Sequence, residues 1–282
     1  MKLMKAYSIL IMKSLLVIAV LMIMEVFVVQ ANDEENNAKL LFLSDFETGD
    51  LTGWHISGNS PTITTSPTRA GKYAMKTSLD RQKDKVPYRT EVSGPRGDVG
   101  GEYWYGFSIF LPEDYIADNI WEIVAQWHGS PDFDIGENWR NPVMALSTDG
   151  GKWSLINRWD AKRNTFESGK KVYGGAHRYD FGPYKTGVWT DWVFHVKWSY
   201  QADGILEIWK NGEKVVDQKG PNTFNDAKGP YFKMGLYKGW KDPDRPSDAV
   251  NKRVLYHDEF RMAGADASYT DVAPGGEKPQ DD

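Results

Sequence analysis

From residue 39 onward the chain alternates apolar and polar positions with a period of two, the spacing of strands buried on one face only. KLLFLSDFE (39–47) is a first strand, RTEVSG (89–94) a short one after Pro87, and YWYGFSIFLP (103–112) a long aromatic one stopped by Pro112. WEIVAQWH (121–128) follows, then PVMALSTDGGKWSLINRW (142–159), a hairpin turning at Asp149-Gly150-Gly151. WTDWVFHVKWS (189–199), GILEIWKNGEKVVD (204–217, turning at Asn211-Gly212), YFKMGLYKGW (231–240) and RVLYHDEFRMA (253–263) complete the series. Only PEDYIADN (112–119) hints at a helical turn. Many short strands with turn signals between them, and no helices alternating with them, predict an all-β fold: an antiparallel β-sandwich of jelly-roll, concanavalin- or lectin-like type.

Alternation also assigns faces. In 121–128 it groups Trp121, Ile123, Ala125 and Trp127 against Glu122, Val124, Gln126 and His128. In 231–237 it groups Tyr231, Lys233, Gly235 and Tyr237, with Gly235 leaving a gap where a ligand approaches.

The first residues break the pattern. Lys2, Lys5 and Lys13 precede an apolar run, Leu15 to Met24, continued from Val26 to Val29, and Val29-Gln30-Ala31 offers a cleavage site. Residues 1–31 therefore read as a secretory signal peptide, for which Met12 is a second candidate start. An uncleaved anchor is the other reading; the polar NDEENN that follows at once favours cleavage. The expected product is a secreted or periplasmic monomer without membrane attachment, one domain over 32–265 and a flexible tail over 266–282. The absence of cysteine excludes a lipid-anchored thioether and any disulfide, leaving stability to a large core.

Composition narrows the ligand. The chain carries 12 Trp, 14 Tyr and 12 Phe, a load that suits a β protein stacking on flat sugar faces. Residues 1–31 hold three Lys and one Glu, so the remainder carries −7 against −5 for the whole chain. That balance argues against nucleic acid or a heavily sulfated partner. No Cys/His cluster for zinc and no phosphate-binding Gly loop is present.

VAQWHGSPDFDIGENW (124–139) holds two competing chemistries. Asp132, Asp134 and Glu137 resemble the Glu-x-Asp-x-x-Glu strand of laminarinase-like glycoside hydrolases, whose outer carboxyls stand about 5–5.5 Å apart in a retaining mechanism. Here the first position is the shorter Asp, and Gly129-Ser130-Pro131 and Asn138 give the cluster the chemistry of a loop. A non-catalytic carbohydrate-binding module, its Trp and Tyr stacking on a glycan, is a third reading.

The other chemistry starts from Gln126-Trp127-His128. YRTEV (88–92), YWYGFSIFLPEDY (103–115), QWHG (126–129), NPVMAL (141–146), DWVFHVKWS (191–199), DGILEIWKNGEKV (203–215) and GPYFKMGLYKG (229–239), in this order and spacing, resemble the heparin lyase I-like and glucuronan lyase-like polysaccharide lyases over about residues 43 to 265. The resemblance implies a secreted β-jelly roll that cleaves a uronic-acid polysaccharide by β-elimination. The acidic charge balance favours a glucuronan- or alginate-like chain over a heparin-like one, whose sulfates would call for more Lys and Arg. That reaction removes a weakly acidic C5 proton, so the neighbouring carboxylate must be neutralised where charge develops. A base must reach C5 and an acid the leaving O4. By the resemblance His128 and Tyr237 are the catalytic histidine and tyrosine, in either order, with Lys233 four residues before Tyr237. Arg89 and Gln126 are the candidates for holding the carboxylate, and Asn141, Glu91 and Lys238 further binding candidates. Arg89 and Glu91 alternate to one face, where they also read as an ion pair. His177, in a Gly-rich segment that would cover the groove, is a second candidate base. His195 and Lys197 read as structural or solvent-facing, and no partner is evident for His55 or His257. No cofactor is required. Glu47 and Asp258, adjacent if the first and last strands pair, read either as oxygen ligands of a structural Ca²⁺ or as two strand-end carboxylates.

Overall fold

The computed structural model describes residues 39–241, 250–276 and 279, and the chain from Leu41 on forms one compact unit. The signal segment 1–31 lies outside the described residues. Among the described residues no helix is long and apolar enough to cross a membrane.

Two antiparallel sheets pack face to face. The groove-bearing sheet has seven strands. In spatial order they are β12 (Gly175–Pro183), β9 (Lys152–Trp159), β8 (Met144–Ser147), β7 (Glu122–His128), β16 (Tyr231–Lys238), β5 (Arg89–Arg96) and β2 (His55–Gly58). The opposite sheet runs β15 (Glu213–Lys219), β14 (Ile205–Lys210), β13 (Val188–Lys197), β6 (Glu102–Leu111), β17 (Lys252–Ala263), β4 (Ala74–Asp80) and β3 (Thr62–Thr64), with β1 (Leu40–Ser44) also pairing with β17. A small hairpin, β10 (Phe166–Glu167) with β11 (Lys170–Lys171), stands apart. Both sequence-predicted turns form. Asn211 and Gly212 take φ of 52° and 85°, the left-handed pair that a two-residue hairpin demands.

Aromatic side chains fill the space between the sheets. Trp127 of β7 meets the ring of Tyr105 on β6 edge-on at 5.4 Å, and Phe232 of β16 stacks on Phe260 of β17 at 4.6 Å. All four are fully buried. Each such side chain contributes about 1.5–3 kcal/mol by leaving water, which replaces disulfides as the source of stability.

Three expectations are corrected. The 112–119 segment is a loop, not a helical turn, and it buries Tyr115 and Asp118. Residues 175–183 form an edge strand of the groove sheet instead of a cover, because Gly174 and Gly175 lie flat against the Trp159 ring. Residues 266–276 are not a tail. A one-turn helix, α1 (Tyr269–Val272), is closed by a capping box between Ser268 and Asp271. Its Tyr269 packs against Trp209, and a Cβ on Gly106 would run into the Val272 carbonyl.

Candidate active site

The outer face of the seven-stranded sheet carries a groove of about 990 Å³. It crosses the strands: its lining runs from Arg178 on β12 through Arg158 on β9, Ala145 on β8, Gln126 and His128 on β7, Lys233 and Tyr237 on β16 and Arg89 on β5 to Ser57 on β2. Spanning seven strands at ~4.8 Å spacing, it is roughly 30 Å long.

The register sets the order of side chains. His128 pairs with Tyr231, Gln126 with Lys233, and Ile123 with Tyr237 across β7 and β16, while Arg89 pairs with Tyr237 across β16 and β5. Imidazole and phenol therefore stand toward the two ends of a row whose middle is Gln126, Lys233 and Glu91. Strict alternation does not hold in β7. A register shift between Ile123 and Ala125 inserts Val124 as an extra residue. Trp121 and Ile123 consequently share the groove with Gln126 and His128, whereas Val124, Ala125 and Trp127 face the core.

Gly235 serves this geometry differently from its sequence-level reading. It takes φ of 135°, and a Cβ there would press into the Thr90 carbonyl oxygen and lie 2.7 Å from Glu91 Cα. The gap is filled by the β5 backbone and leaves no room for a ligand.

Beneath the row sits Glu91, 1% exposed. Its carboxylate accepts hydrogen bonds from Gln126 Nε2 and, at 2.5 Å, from Lys233 Nζ, and its Oε2 lies 3.4 Å from Arg89 Nε. The Arg89–Glu91 pair thus exists, and it orients Arg89 at the groove. Glu91 itself does not line the groove: it is a brace for three groups that do. Two cations around one carboxylate leave a net positive charge, the sign a uronate carboxylate needs. The Arg89 guanidinium also lies 4.3 Å over the Tyr237 ring, and the Trp121 ring meets Tyr237 edge-on at 5.1 Å.

His128 Nδ1 lies 2.8 Å from the Gly129 carbonyl oxygen. A carbonyl only accepts, so Nδ1 carries the proton and the neutral ring keeps its lone pair on Nε2. Burial, with the nearby positive charges of Lys233, Arg140 and Arg89, lowers the imidazole to about 4 against the Gly129 bond, which acts the other way. The ring is neutral at pH 7, as a proton acceptor must be. Trp139, 54% exposed, flanks it edge-on at 5.8 Å and gives the groove an aromatic wall.

A family model described as polysaccharide lyase matches residues 46–261. The chain belongs to the polysaccharide lyase family. Among solved structures the lyase is similar to an endo-β-1,4-glucuronan lyase from the fungus Trichoderma reesei, at 22% identity and a TM-score of 0.71, covering 84% of this chain and 99% of that one. It is also similar to an alginate lyase (12% identity, TM-score 0.51, 79% and 99% covered). The binding domain of Paraclostridial Mosquitocidal Protein 1 matches at 13% identity and a TM-score of 0.51, with 84% and 51% covered. These likenesses establish the jelly-roll fold. A comparison with curated proteins gives no match.

The hydrolase reading of Asp132, Asp134 and Glu137 fails in the lyase. Asp132 accepts from Arg163 at 2.6 Å and from the Ala227 N–H at 3.1 Å. Glu137 accepts from the Asp132 N–H at 2.9 Å and the Thr165 hydroxyl at 2.7 Å, and is paired with Arg140. Both are buried structural acceptors, Asp134 is solvent-exposed on a 3₁₀ turn (Phe133–Ile135), and none lines the groove.

Two further candidates move. His177 pairs with the fully buried Asn157, so it faces the other side of β12 and the second-base reading fails. Lys238 is 0% exposed and points into the interior, 2.9 Å from Asp118 and 3.2 Å from Glu122, so it cannot bind substrate. Asn141 does line the rim. His195 bridges Glu102 and Glu207 on the opposite sheet, and His257 is buried with Nε2 donating to Val124 O at 3.0 Å. β1 and β17 pair as expected, and Glu47 and Asp258 both brace residues 69–73. Glu47 accepts from the Lys72 and Tyr73 N–H groups, and Asp258 accepts from Arg69 N–H at 2.7 Å. Two carboxylates already turned toward N–H donors fall short of the about six to eight oxygens calcium takes. Among the described residues no three His, Asp or Glu gather as ligands.

Sequence reasoning missed Trp121, Trp139, Arg140, Arg158, Lys171 and Arg178. Arg158 was accessible to it: in 142–159, Ile156 and Arg158 alternate onto one face. Trp121 was not, because the bulge that turns it outward leaves no mark in the residue pattern.

Proposed function

We propose that this groove binds a β-1,4-linked polyuronate of glucuronan type and cleaves it by β-elimination, with His128 as base and Tyr237 as acid. The reading is carried by one observation: His128, Gln126, Lys233, Tyr237 and Arg89 line a single groove on one sheet. The glucuronan lyase similar over nearly its whole length supports the substrate class. An open groove crossing seven strands suits attack within a chain.

The substrate carboxylate meets Arg89 and the Gln126 amide, both steered by Glu91, so the charge that develops on the carboxylate oxygens as C5 loses its proton is stabilised in place. His128 Nε2 takes the C5 proton. The C5 electron pair becomes the C4–C5 double bond as the C4–O4 bond breaks, and the Tyr237 hydroxyl gives its proton to O4. Proton return from His128 to Tyr237 through solvent restores the pair.

Wild-type protein mixed with glucuronan should generate the ultraviolet absorbance of a conjugated, unsaturated uronate. His128→Ala and Tyr237→Phe should each remove it while polymer binding survives. Full activity in both variants, or reducing ends released without that absorbance, would overturn the proposal.

A further inference from the structure

The cations of the groove are unevenly spread. Past His128, toward the β12 edge, stand Arg158, Arg178 and Lys171, whereas the lining contributed by β2 at the other end is Ser57. Arg158 and Arg178 occupy the same face. Arg158 pairs with Ala176 and Arg178 with Ile156, which makes the two arginines diagonal neighbours, close enough for long side chains to share a ligand.

Their bonding is incomplete. Arg158 spends Nη1 on the Pro142 carbonyl at 2.9 Å, and its guanidinium lies 6.0 Å from the Tyr173 ring centroid. Among the described residues no carboxylate pairs with Arg158 or Arg178. The contrast within the groove is direct: Arg140 is paired with Glu137 and Asp226, and Lys233 with Glu91. Two half-facing guanidiniums held together without a counter-ion repel each other, an arrangement that an arriving anion relieves. Burial and the charge of Arg178 both act to lower Arg158.

We propose that Arg158 and Arg178 form a distal subsite that grips a carboxylate of the polyuronate two to three strand spacings, roughly 10–14 Å, beyond the uronate under attack. A guanidinium fork matches a carboxylate in two parallel bonds, which fixes position as well as charge. This deepens the proposed function and rests on it for the identity of the polymer. The consequence is a preference for length: chains that reach the β12 edge bind better, and short oligomers do not sense these residues.

The test uses Arg158→Gln combined with Arg178→Ala, and Lys219→Ala on the opposite sheet as a charge control. With polymer, the double variant should raise KM about tenfold with kcat changed less than twofold, and should flatten the dependence of kcat/KM on salt. With the shortest oligomer still cleaved, double variant and wild type should coincide. Lys219→Ala should match wild type throughout. Equal losses on short and long substrates, or no loss on either, would overturn the subsite. Calorimetric binding of polymer to His128→Ala, with and without the two arginine changes, reads the subsite without turnover. A wild-type protein that binds polymer through these arginines yet yields no unsaturated product would sink the proposed function and leave the subsite standing. A lyase insensitive to their loss would do the reverse.

Discussion

A single carbonyl decides how His128 works. Because Gly129 O accepts from Nδ1, the free lone pair is on Nε2, and burial keeps the ring neutral far below the usual histidine range. The acid limb of kcat/KM should therefore fall near pH 4 instead of near 6.5, with activity lost as pH drops through that point and the base becomes protonated. A pH–rate profile on a polymer that stays soluble in acid checks it; a limb at 6.5 would mean a solvated imidazole. Lys238 makes the opposite case. It carries the charge expected of a substrate ligand, yet it is enclosed with Asp118, Glu122 and Arg253. Lys238→Met removes one partner of a buried ionic group and should cost about 3–5 kcal/mol in urea unfolding while KM of the folded fraction is unchanged. The chemistry of the groove was legible in the sequence where it depended on residue identity in a regular strand: Gln126 and His128, and Lys233 and Tyr237, share faces by simple alternation. Lys238, one residue on from Tyr237, was misassigned by its charge alone, against the same alternation, which turns it to the inner face.

At the scale of elements, irregularities place the site. The bulge at Val124 brings Trp121 and Ile123 into the groove, and Gly235 lets β16 lie against β5 so that Lys233 and Arg89 reach the same carboxylate. Gly235→Ala should cost about 2–4 kcal/mol, since it adds both a clash with Thr90 and a forbidden φ, and chemical denaturation would show it. The order of the main strands and the two tight hairpin turns were readable from period two and from the Asn-Gly and Asp-Gly signals, whereas β2, β3, β4, β10, β11 and β12 were not. Bulges were not, because an inserted residue changes register without changing composition. The strand over 74–80 was missed although Met75, Thr77 and Leu79 alternate onto its buried face, and the strand over 62–64 is too short to show a period. The carboxylate cluster of 132–137 was read correctly as a loop. Its purpose is structural: Glu137 pairs with Arg140 three residues on, and the cluster is itself held by Arg163, Thr165 and Ala227, about 30 to 95 positions away along the chain.

For the whole molecule, two histidines tie stability to acidity. His128 is held at about 4 and His257, fully buried and desolvated, at about 3. Both are lower than in the unfolded chain, so the unfolded state binds more protons between these values and 6.5. Stability contributed by their neutral forms is complete above pH 6.5 and is lost progressively as pH falls toward 3, by several kcal/mol in total. Asp226 and Asp258, whose burial raises them to about 7, act the other way between about pH 4 and 7. The histidine contribution is therefore read from the difference between wild type and a His257 variant in thermal unfolding across that range. His257→Gln should lose less stability than wild type as pH falls; if it leaves the slope unchanged, the burial argument is wrong.

The groove runs across the strands, so a polymer lying in it meets a new strand with every few ångströms of its length. Each strand then acts as one mark on a ruler, and what it presents at that mark is set by one or two side chains that its neighbours do not share. Lengthening or trimming an edge strand would change how much polymer is measured without disturbing the cutting point. In this way a single sheet can be retuned for different uronans one rung at a time.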